Sequence, residues 1–161
     1  MTIQEGDKIP DATLMHMTDS GPAKITTQEL FGGKKVALFA VPGAFTPTCS
    51  AQHLPGFVDN ADAIKAKGVD TIACLAVNDA FVMSAWGEDH NVGDKVLMLA
   101  DGNGELTGKL GLDLDATGFG LGSRSQRYSM IVDDGVVTKL NVEAAGAFEA
   151  SKAEVILDQL G

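Results

Sequence analysis

The sequence is poor in cysteine, with only Cys49 and Cys74 among its 161 residues. Two cysteines are too few for a disulfide framework, and they lack the paired spacing of a structural zinc site. The Cys-x-x-Cys motif that a disulfide reductase would use is also absent. Scarce, unpaired cysteines are typical of a reducing compartment, so we expect a cytoplasmic protein.

Positive charge is also scarce, since 12 Lys+Arg stand against 22 Asp+Glu and give a formal net charge of −10. Sequence-independent binding to nucleic acid needs clustered cations that contact phosphates, and the sequence contains no such cluster. We therefore expect no nucleic-acid partner, and we expect any positive site to be local.

Long apolar runs are missing as well. No stretch approaches the roughly 20 apolar residues that a membrane helix needs. Residues 1–5 lack the basic and then apolar pattern of an export signal. We therefore expect no membrane partner. Because no repeat, low-complexity tract or Pro/Ser-rich linker divides the chain, we predict a single domain over residues 1–161.

Short apolar runs bounded by turn residues are present, and they predict buried strands. The predicted strands cover residues 36–41, 71–77, 96–100, 128–132 and 136–142. Asp133-Asp134-Gly135 predicts a hairpin turn between the last two strands. A shorter hairpin is predicted near the N-terminus, around Asp19-Ser20-Gly21.

Apolar residues at helical spacing predict a helix over residues 48–67, kinked at Pro55. Asp79 is placed to cap a second helix that ends near residue 90. Ser151 and Glu154 form a capping-box pattern at the start of the last helix. This order of elements predicts an α/β fold with a mixed central sheet and helices on both faces, as in thioredoxin-like architecture.

The most informative segment is VPGAFTPTCS, residues 41–50, which joins a predicted strand to the long helix. Thr46 suits the N-cap position and Pro47 the first helical position, where a missing amide hydrogen costs nothing. This register places Cys49 in the first turn, where free amide hydrogens and the positive end of the helix dipole favour a thiolate. A buried, inert cysteine is the alternative, but the Thr-Pro-x-Cys register favours a nucleophile.

Pro42, Thr46 and Cys49 match the Pro-x-x-x-Thr-x-x-Cys motif of the peroxiredoxins, and the sequence resembles their type II (Prx5) group. The resemblance covers nearly the whole chain and is carried by VPGAFTPTCS, HLPGF, KGVDTIACLAVNDAFVMSAWG and RYSMIVDDG. It implies a thioredoxin-like fold and a thiol-dependent peroxidase that reduces hydrogen peroxide and alkyl hydroperoxides, with no metal or organic cofactor.

The resemblance also implies roles for individual residues. Cys49 is similar to the peroxidatic cysteine, which cycles through thiolate, sulfenic acid and mixed disulfide. Thr46 is similar to the threonine that hydrogen-bonds the thiolate and the peroxide, and Pro42 to the proline that shields the site. Arg127 matches the active-site arginine, and Arg124 is a second arginine nearby. A guanidinium suits this chemistry because it directs several donors and a fixed charge toward developing negative charge.

Cys74 lies in a predicted strand and is most simply a small buried side chain, although some plant type II relatives have a cysteine at this position. The C-terminal region contains no cysteine that could resolve a sulfenic acid. We therefore expect a one-cysteine enzyme whose electron donor is glutaredoxin with glutathione, or thioredoxin. The resemblance also implies a homodimer, with contributions from the segment around Phe45 and the helix that carries Phe81.

Two further interpretations remain open in the sequence. A peroxide sensor that passes its oxidation to a partner protein by thiol-disulfide exchange would use the same Cys49. Turnover separates the two functions, because an enzyme consumes many equivalents of peroxide when a reductant is supplied. His53 lies four residues after Cys49, a spacing compatible with metal ligands, but no further ligand is evident and packing or hydrogen bonding is the favoured interpretation.

Overall fold

A seven-stranded sheet forms the centre of the computed structural model, which describes residues 1–161. The strands are β1 (Thr13–Thr18), β2 (Gly21–Thr26), β3 (Lys35–Ala40), β4 (Thr71–Ala76), β5 (Leu97–Ala100), β6 (Asp113–Asp115), β7 (Ser123–Ser125), β8 (Tyr128–Asp133) and β9 (Val136–Val142). The strand order of the large sheet is β2-β1-β5-β4-β3-β8-β9, and β6 and β7 form a separate two-stranded sheet. All five strands predicted from apolar runs are confirmed to within one residue at each end.

The sheet is mixed because β3, β4 and β5 run parallel, whereas β8 pairs with β3 and β1 with β5 in the antiparallel sense. Both predicted hairpins are confirmed, β1 with β2 and β8 with β9. In the second hairpin Asp134 and Gly135 have φ of 48° and 79°. Two positive φ values are what a tight turn between twisted strands requires, and Asp-Gly adopts them readily.

Helices cover both faces of the sheet. They are α1 (Thr27–Phe31), α2 (Leu54–Asp59), α3 (Ala61–Ala66), α4 (Ala80–Asp89), α5 (Glu105–Leu110) and α6 (Ala153–Leu160). One apolar layer joins α2, α3, α4 and α6 to one face, and a second layer joins α1 and α5 to the other. Strand β3 supplies both layers, since Phe39 belongs to the first and Leu38 to the second. No helix has both the length and the apolar character that crossing a bilayer requires.

The predicted helix over residues 48–67 is present in three parts, and its irregularity differs from a simple kink at Pro55. A widened π-helical turn, Cys49–His53, precedes α2, and the Leu54 amide closes it on the Cys49 carbonyl. Pro55 lacks an amide hydrogen and crowds the carbonyl four residues before it, which favours a wider turn at this point. A second break follows at Asn60, whose side-chain amide donates to the Gly56 carbonyl at 2.8 Å.

Helix capping was predicted correctly at one position and wrongly at another. Asp79 caps α4, since its carboxylate accepts from the Val82 amide at 2.8 Å. The capping box predicted at Ser151 is wrong: Lys152 occupies the N-cap of α6 without a side-chain hydrogen bond. The Ser151 hydroxyl instead donates to the Glu143 carboxylate at 2.6 Å. The Glu143 carboxylate, which follows β9, is a strong acceptor for the proton of this hydroxyl.

Candidate active site

The loop after β3 places the site at the carboxyl ends of the parallel strands. The Ala44 amide donates to the side-chain oxygen of Asn78 at 2.9 Å, which ties this loop to the segment after β4. The next residue, Phe45, has φ of 64°, an uncommon backbone conformation for a bulky side chain. The tie to Asn78 holds this conformation, and the loop delivers Thr46 and Cys49 to the start of the first helical turn.

Arg124 braces the same loop from the opposite side. Its Nε donates to the Leu121 carbonyl at 3.0 Å, and its Nη1 lies 3.5 Å from the Pro42 carbonyl. A Cβ on Gly43 would lie 2.9 Å from this Nη1, so glycine permits the close approach. Arg124 therefore supports the backbone of the loop and does not contact the sulfur of Cys49.

The sulfur of Cys49 is fully buried and faces two donors. Thr46 Oγ1 lies 2.8 Å from Sγ, and Arg127 Nη2 lies 3.0 Å from it. Hydrogen bonds from a hydroxyl and from a charged guanidinium stabilise a thiolate more than a thiol. Both donors are therefore directed at the same sulfur.

The hydroxyl of Thr46 has a choice of acceptors, because Oγ1 also lies 2.7 Å from the Gly43 carbonyl. A hydroxyl carries one proton, so it donates to one of these two acceptors at a time. A charged thiolate is the stronger acceptor, so the Thr46 hydroxyl donates its hydrogen bond to the sulfur when Cys49 is a thiolate. When Cys49 is a thiol, its own proton can point to Oγ1 while Thr46 donates to Gly43.

Arg127 reaches the site because of sheet topology. It precedes β8, whose first residue Tyr128 pairs with Ala40 at the end of β3. The arginine is therefore next to the loop that begins there. Its guanidinium donates in two directions, from Nη2 to Cys49 and from Nη1 to His53 Nδ1 at 2.8 Å.

His53 is neutral and serves as an acceptor for Arg127. A guanidinium only donates, so Nδ1 is the unprotonated nitrogen, and Nε2–H donates to the Ser151 carbonyl at 3.0 Å. Burial, followed by the charge of Arg127, lowers the pKa of His53 from 6.5 to about 3. Both ring nitrogens are thus engaged, as the hydrogen-bonding interpretation of this residue predicted.

Phe148 closes the site from the C-terminal segment. Its ring lies edge-on to His53, with centroids 5.0 Å apart, and the Arg127 guanidinium carbon is 5.8 Å from its centroid. A guanidinium over an aromatic face is electrostatically favourable.

Cys74 is buried within β4, where it pairs in register with Phe39. Burial, followed by the nearby charge of Cys49, raises the pKa of the Cys74 thiol well above its ordinary value. Because the thiolate is the reactive form, Cys74 is a poor nucleophile in this conformation. The thiol occupies the position of a small apolar side chain, as predicted.

The structure brings together three of the four residues predicted for the site, namely Cys49, Thr46 and Arg127. The fourth, Pro42, begins the loop and is half-buried, with its carbonyl toward Arg124. Sequence reasoning missed the role of His53 as acceptor for Arg127, although its spacing from Cys49 placed it on the correct side of the helix.

Comparisons with known proteins agree with this geometry. The Redoxin family model matches residues 4–157. The chain is 55% identical to Peroxiredoxin-2E, chloroplastic, of Arabidopsis thaliana, over 99% of this chain and 70% of the relative. It is also 55% identical to Peroxiredoxin-2E-2, chloroplastic, of Oryza sativa subsp. japonica, over 99% and 73%. The crystal structure of reduced Prx3 in complex with H2O2 from Vibrio vulnificus is similar with a TM-score of 0.96 and 58% identity, covering 99% of this chain and 100% of that one.

The predicted cytoplasmic location is contradicted by these relatives. Both plant proteins at 55% identity are named chloroplastic. The prediction used the composition and cysteine content of the folded chain, whereas location is specified by targeting segments that are separate from the fold. A low cysteine count excludes a disulfide scaffold, but it does not distinguish one reducing compartment from another.

Sequence motif, fold and site geometry lead to the same assignment. The mixed sheet is the thioredoxin-like fold that the order of elements predicted. The chain belongs to the Redoxin family and is a peroxiredoxin, a thiol-dependent peroxidase with the buried Cys49 at the peroxidatic position.

Proposed function

We propose that this peroxidase reduces hydrogen peroxide and alkyl hydroperoxides with Cys49 as nucleophile, Thr46 and Arg127 as the donors that hold the peroxide, and Pro42 as the shield of the thiolate. The observation that carries this proposal is the convergence of Thr46 Oγ1 and Arg127 Nη2 on one buried sulfur. Donors already aimed at the place where charge develops need no reorganisation during reaction.

The reaction follows from this arrangement. The thiolate sulfur attacks one peroxide oxygen, an S–O bond forms and the O–O bond breaks. Sulfur is oxidised by two electrons to sulfenic acid, and the leaving oxygen departs as hydroxide or alkoxide and takes a proton to become water or alcohol. Negative charge moves from sulfur to the leaving oxygen, and the donors of Arg127 and Thr46 stabilise it along that path.

We further propose a one-cysteine cycle that uses an external thiol. The raised pKa of the Cys74 thiol and its place inside β4 make it a poor resolving group. A glutathione thiolate would attack the sulfenic sulfur, so that an S–S bond forms, the S–O bond breaks, and the hydroxide that leaves takes a proton from solvent to become water. A second thiol, from glutaredoxin with glutathione or from thioredoxin, would then reduce the disulfide and regenerate Cys49.

We also propose a homodimer in which the site loop lies at the interface. Phe45 and Phe81 are 52% and 65% exposed. The hydrogen bond from Ala44 to Asn78 ties the site loop, which carries Phe45, to the segment that leads into α4, which carries Phe81. Exposed aromatic rings at such a place are typical of an interface.

Peroxide consumption tests the proposed chemistry directly. Cys49→Ser replaces the thiol by a hydroxyl that does not ionise at neutral pH, so turnover with each reductant system should disappear. The matched control is Cys74→Ala, which should retain turnover and lose about 1 kcal/mol of stability from the deleted buried atom. Substantial turnover by Cys49→Ser would contradict the assignment. Loss of turnover in a folded Cys74→Ala, with an intramolecular disulfide in the wild type, would indicate a two-cysteine cycle instead.

The same assay separates the enzyme from the sensor that the sequence left as the alternative. Many equivalents of peroxide consumed per chain, with glutathione and glutaredoxin or with thioredoxin, identify an enzyme and its donor. Consumption that stops near one equivalent with every small-thiol system would instead indicate a sensor.

A further inference from the structure

A closed ring of hydrogen bonds connects Arg127 to the C-terminal segment, residues 143–152. The ring starts at the backbone of Arg127, whose carbonyl accepts from the Glu143 amide at 3.0 Å. The Glu143 carboxylate accepts from the Ser151 amide, and the Ser151 carbonyl accepts from His53 Nε2. His53 Nδ1 accepts from the Arg127 guanidinium, which closes the ring. Glu143 therefore holds the backbone of Arg127 directly, and it holds the side chain of Arg127 through Ser151 and His53.

Glu143 organises this segment through a single carboxylate oxygen. Its Oε2 accepts from the Glu149 amide at 2.8 Å, the Ser151 amide at 2.8 Å and the Ser151 hydroxyl at 2.6 Å. Burial raises the pKa of Glu143, but the hydrogen bonds from Ser151 and Glu149 outweigh burial and lower it. The carboxylate is therefore charged at neutral pH, when its three hydrogen bonds are strongest.

Ser151 carries this constraint to His53. With its amide and hydroxyl held by Glu143, the Ser151 carbonyl lies 3.0 Å from His53 Nε2. An N–H at Nε2 leaves Nδ1 free of a proton, which is the form that can accept from Arg127. In the other tautomer an N–H at Nδ1 would face the Nη1 donor, and the guanidinium would have to turn away.

We propose that Glu143 is a positioning residue for the peroxidase reaction, because its hold on Ser151 selects the His53 tautomer that keeps Arg127 aimed at the Cys49 sulfur. The inference rests on the role of Arg127 given under the proposed function. Glu143 itself touches neither the sulfur nor the peroxide.

A positioning role and a simple charge effect predict opposite changes when the carboxylate is removed. Loss of a negative charge by itself favours the Cys49 thiolate, so the pH midpoint of its alkylation by iodoacetamide would fall. Release of Arg127 from the sulfur disfavours the thiolate, so the midpoint would rise. The sign of the shift therefore distinguishes the two explanations.

The principal variant is Glu143→Ala, compared with wild type and with Glu154→Gln, which removes an exposed carboxylate from the first turn of α6, just after this segment. We expect Glu143→Ala to raise the alkylation midpoint and to slow the oxidation of Cys49 by hydrogen peroxide roughly ten- to hundredfold, even where the thiol is fully ionised. Glu143→Gln keeps an acceptor oxygen and should restore part of the rate. Glu154→Gln should keep the wild-type rate.

NMR of isotopically labelled histidine gives a readout that does not depend on turnover. Wild-type His53 should carry its proton on Nε2, and Glu143→Ala should show a mixture of tautomers. If Glu143→Ala fails to fold by circular dichroism, Ser151→Ala, which removes one of the three hydrogen bonds to Glu143, should shift the tautomer and the rate in the same directions.

Three outcomes would overturn the inference: an Nδ1–H tautomer in the wild type, a lower alkylation midpoint in a folded Glu143→Ala, or an unchanged oxidation rate in that variant. These outcomes are distinct from failure of the proposed function. If the proposed function fails, the wild type itself does not consume peroxide. If only the present inference fails, the wild type reacts rapidly with peroxide and its rate does not depend on Glu143.

Discussion

At the scale of the residue, the proposed catalysis depends on which groups donate to the sulfur of Cys49 and from which directions. Arg127 supplies one donor to the sulfur and a second to His53, and the two are fixed in one plane. A lower thiol pKa makes more thiolate but a weaker nucleophile, so ionisation alone does not make a fast peroxidase. The geometry of the donors has to lower the barrier further.

Arg127→Lys tests whether this geometry matters beyond the charge. A lysine keeps the positive charge but does not offer the planar fork that reaches Sγ and His53 Nδ1 together. We expect the oxidation rate measured by stopped flow to fall roughly 10²- to 10³-fold, a size typical of one lost transition-state donor. The loss should persist at a pH where the thiol is fully ionised. Full recovery at high pH would mean that Arg127 acts only on ionisation.

His53 should make the fold sensitive to acid. Its pKa is about 3 in the folded chain and about 6.5 as the ordinary value, so the unfolded chain binds the proton first. The stability that neutral His53 contributes should be complete above pH 6.5. The free energy of unfolding should then decrease as the pH falls from 6.5 toward 3. Since each pKa unit corresponds to about 1.4 kcal/mol, the loss is on the order of a few kcal/mol.

Urea denaturation at a series of pH values measures this loss. His53→Gln does not titrate, so its free energy of unfolding should decrease less than that of the wild type between pH 6.5 and pH 3. Equal slopes for the two proteins over this range would show that His53 is not held neutral in the fold. The carboxylates titrate in both proteins, and their contribution cancels in the comparison.

At the scale of the element, the proposed reduction by glutathione requires the first helical turn to open. Cys49 is fully buried, and a glutathione thiolate cannot reach a sulfur that solvent does not contact. Trp86 on α4 holds this turn, since its indole donates to the Ser50 hydroxyl at 3.0 Å. Trp86 is the only tryptophan of the chain, so its fluorescence should report the opening.

Ser50→Ala should make the turn easier to open. A lost hydrogen bond costs about 0.5–1.5 kcal/mol, which corresponds to a roughly two- to tenfold shift of the opening equilibrium. After oxidation by one equivalent of peroxide, the mixed disulfide with glutathione should therefore form roughly two- to tenfold faster, as followed by tryptophan fluorescence and mass spectrometry. Ser20→Ala in the turn between β1 and β2 is the matched control. A wild-type rate in Ser50→Ala would show that this bond does not limit access.

At the scale of the whole molecule, the parallel core of the sheet collects distant segments at one edge. The loop after β3 and the segment after β4 both leave the carboxyl ends of parallel strands, and β8 begins at the same edge because it runs antiparallel to β3. Apolar layers on the two faces hold these strands in place. The sheet therefore anchors the site, whereas the first turn, which carries Cys49, and the segment around Phe148 lie outside the sheet.

Phe81→Asp tests the proposed homodimer. An aspartate at the centre of an apolar contact would be desolvated without a partner, so we expect the variant to be monomeric and the wild type dimeric by sedimentation. Lys24→Asp, on the exposed side of the far edge strand β2, should leave the association state unchanged. A dimer of undiminished stability in Phe81→Asp would place the interface elsewhere.

The sequence by itself determined the parts of this protein that depend on neighbouring residues. Apolar runs predicted the strands, Asp134-Gly135 predicted a hairpin, and Asp79 predicted the start of α4. The motif of Pro42, Thr46 and Cys49 is local as well. Each of these features follows from interactions within a few positions along the chain, and a periodic pattern or a turn preference records such interactions directly.

Only the tertiary structure decided which partner each polar side chain chose. Arg127 meets Cys49 from 78 positions away, and His53 binds the Ser151 carbonyl from 98 positions away. Ser151 matched a capping box in sequence, but its hydroxyl donates to the Glu143 carboxylate, which β9 brings within hydrogen-bond distance. A polar group that folding removes from water must find a partner among the groups that are then within reach. For Arg127, His53 and Ser151, the packing of strands and helices decides what those groups are.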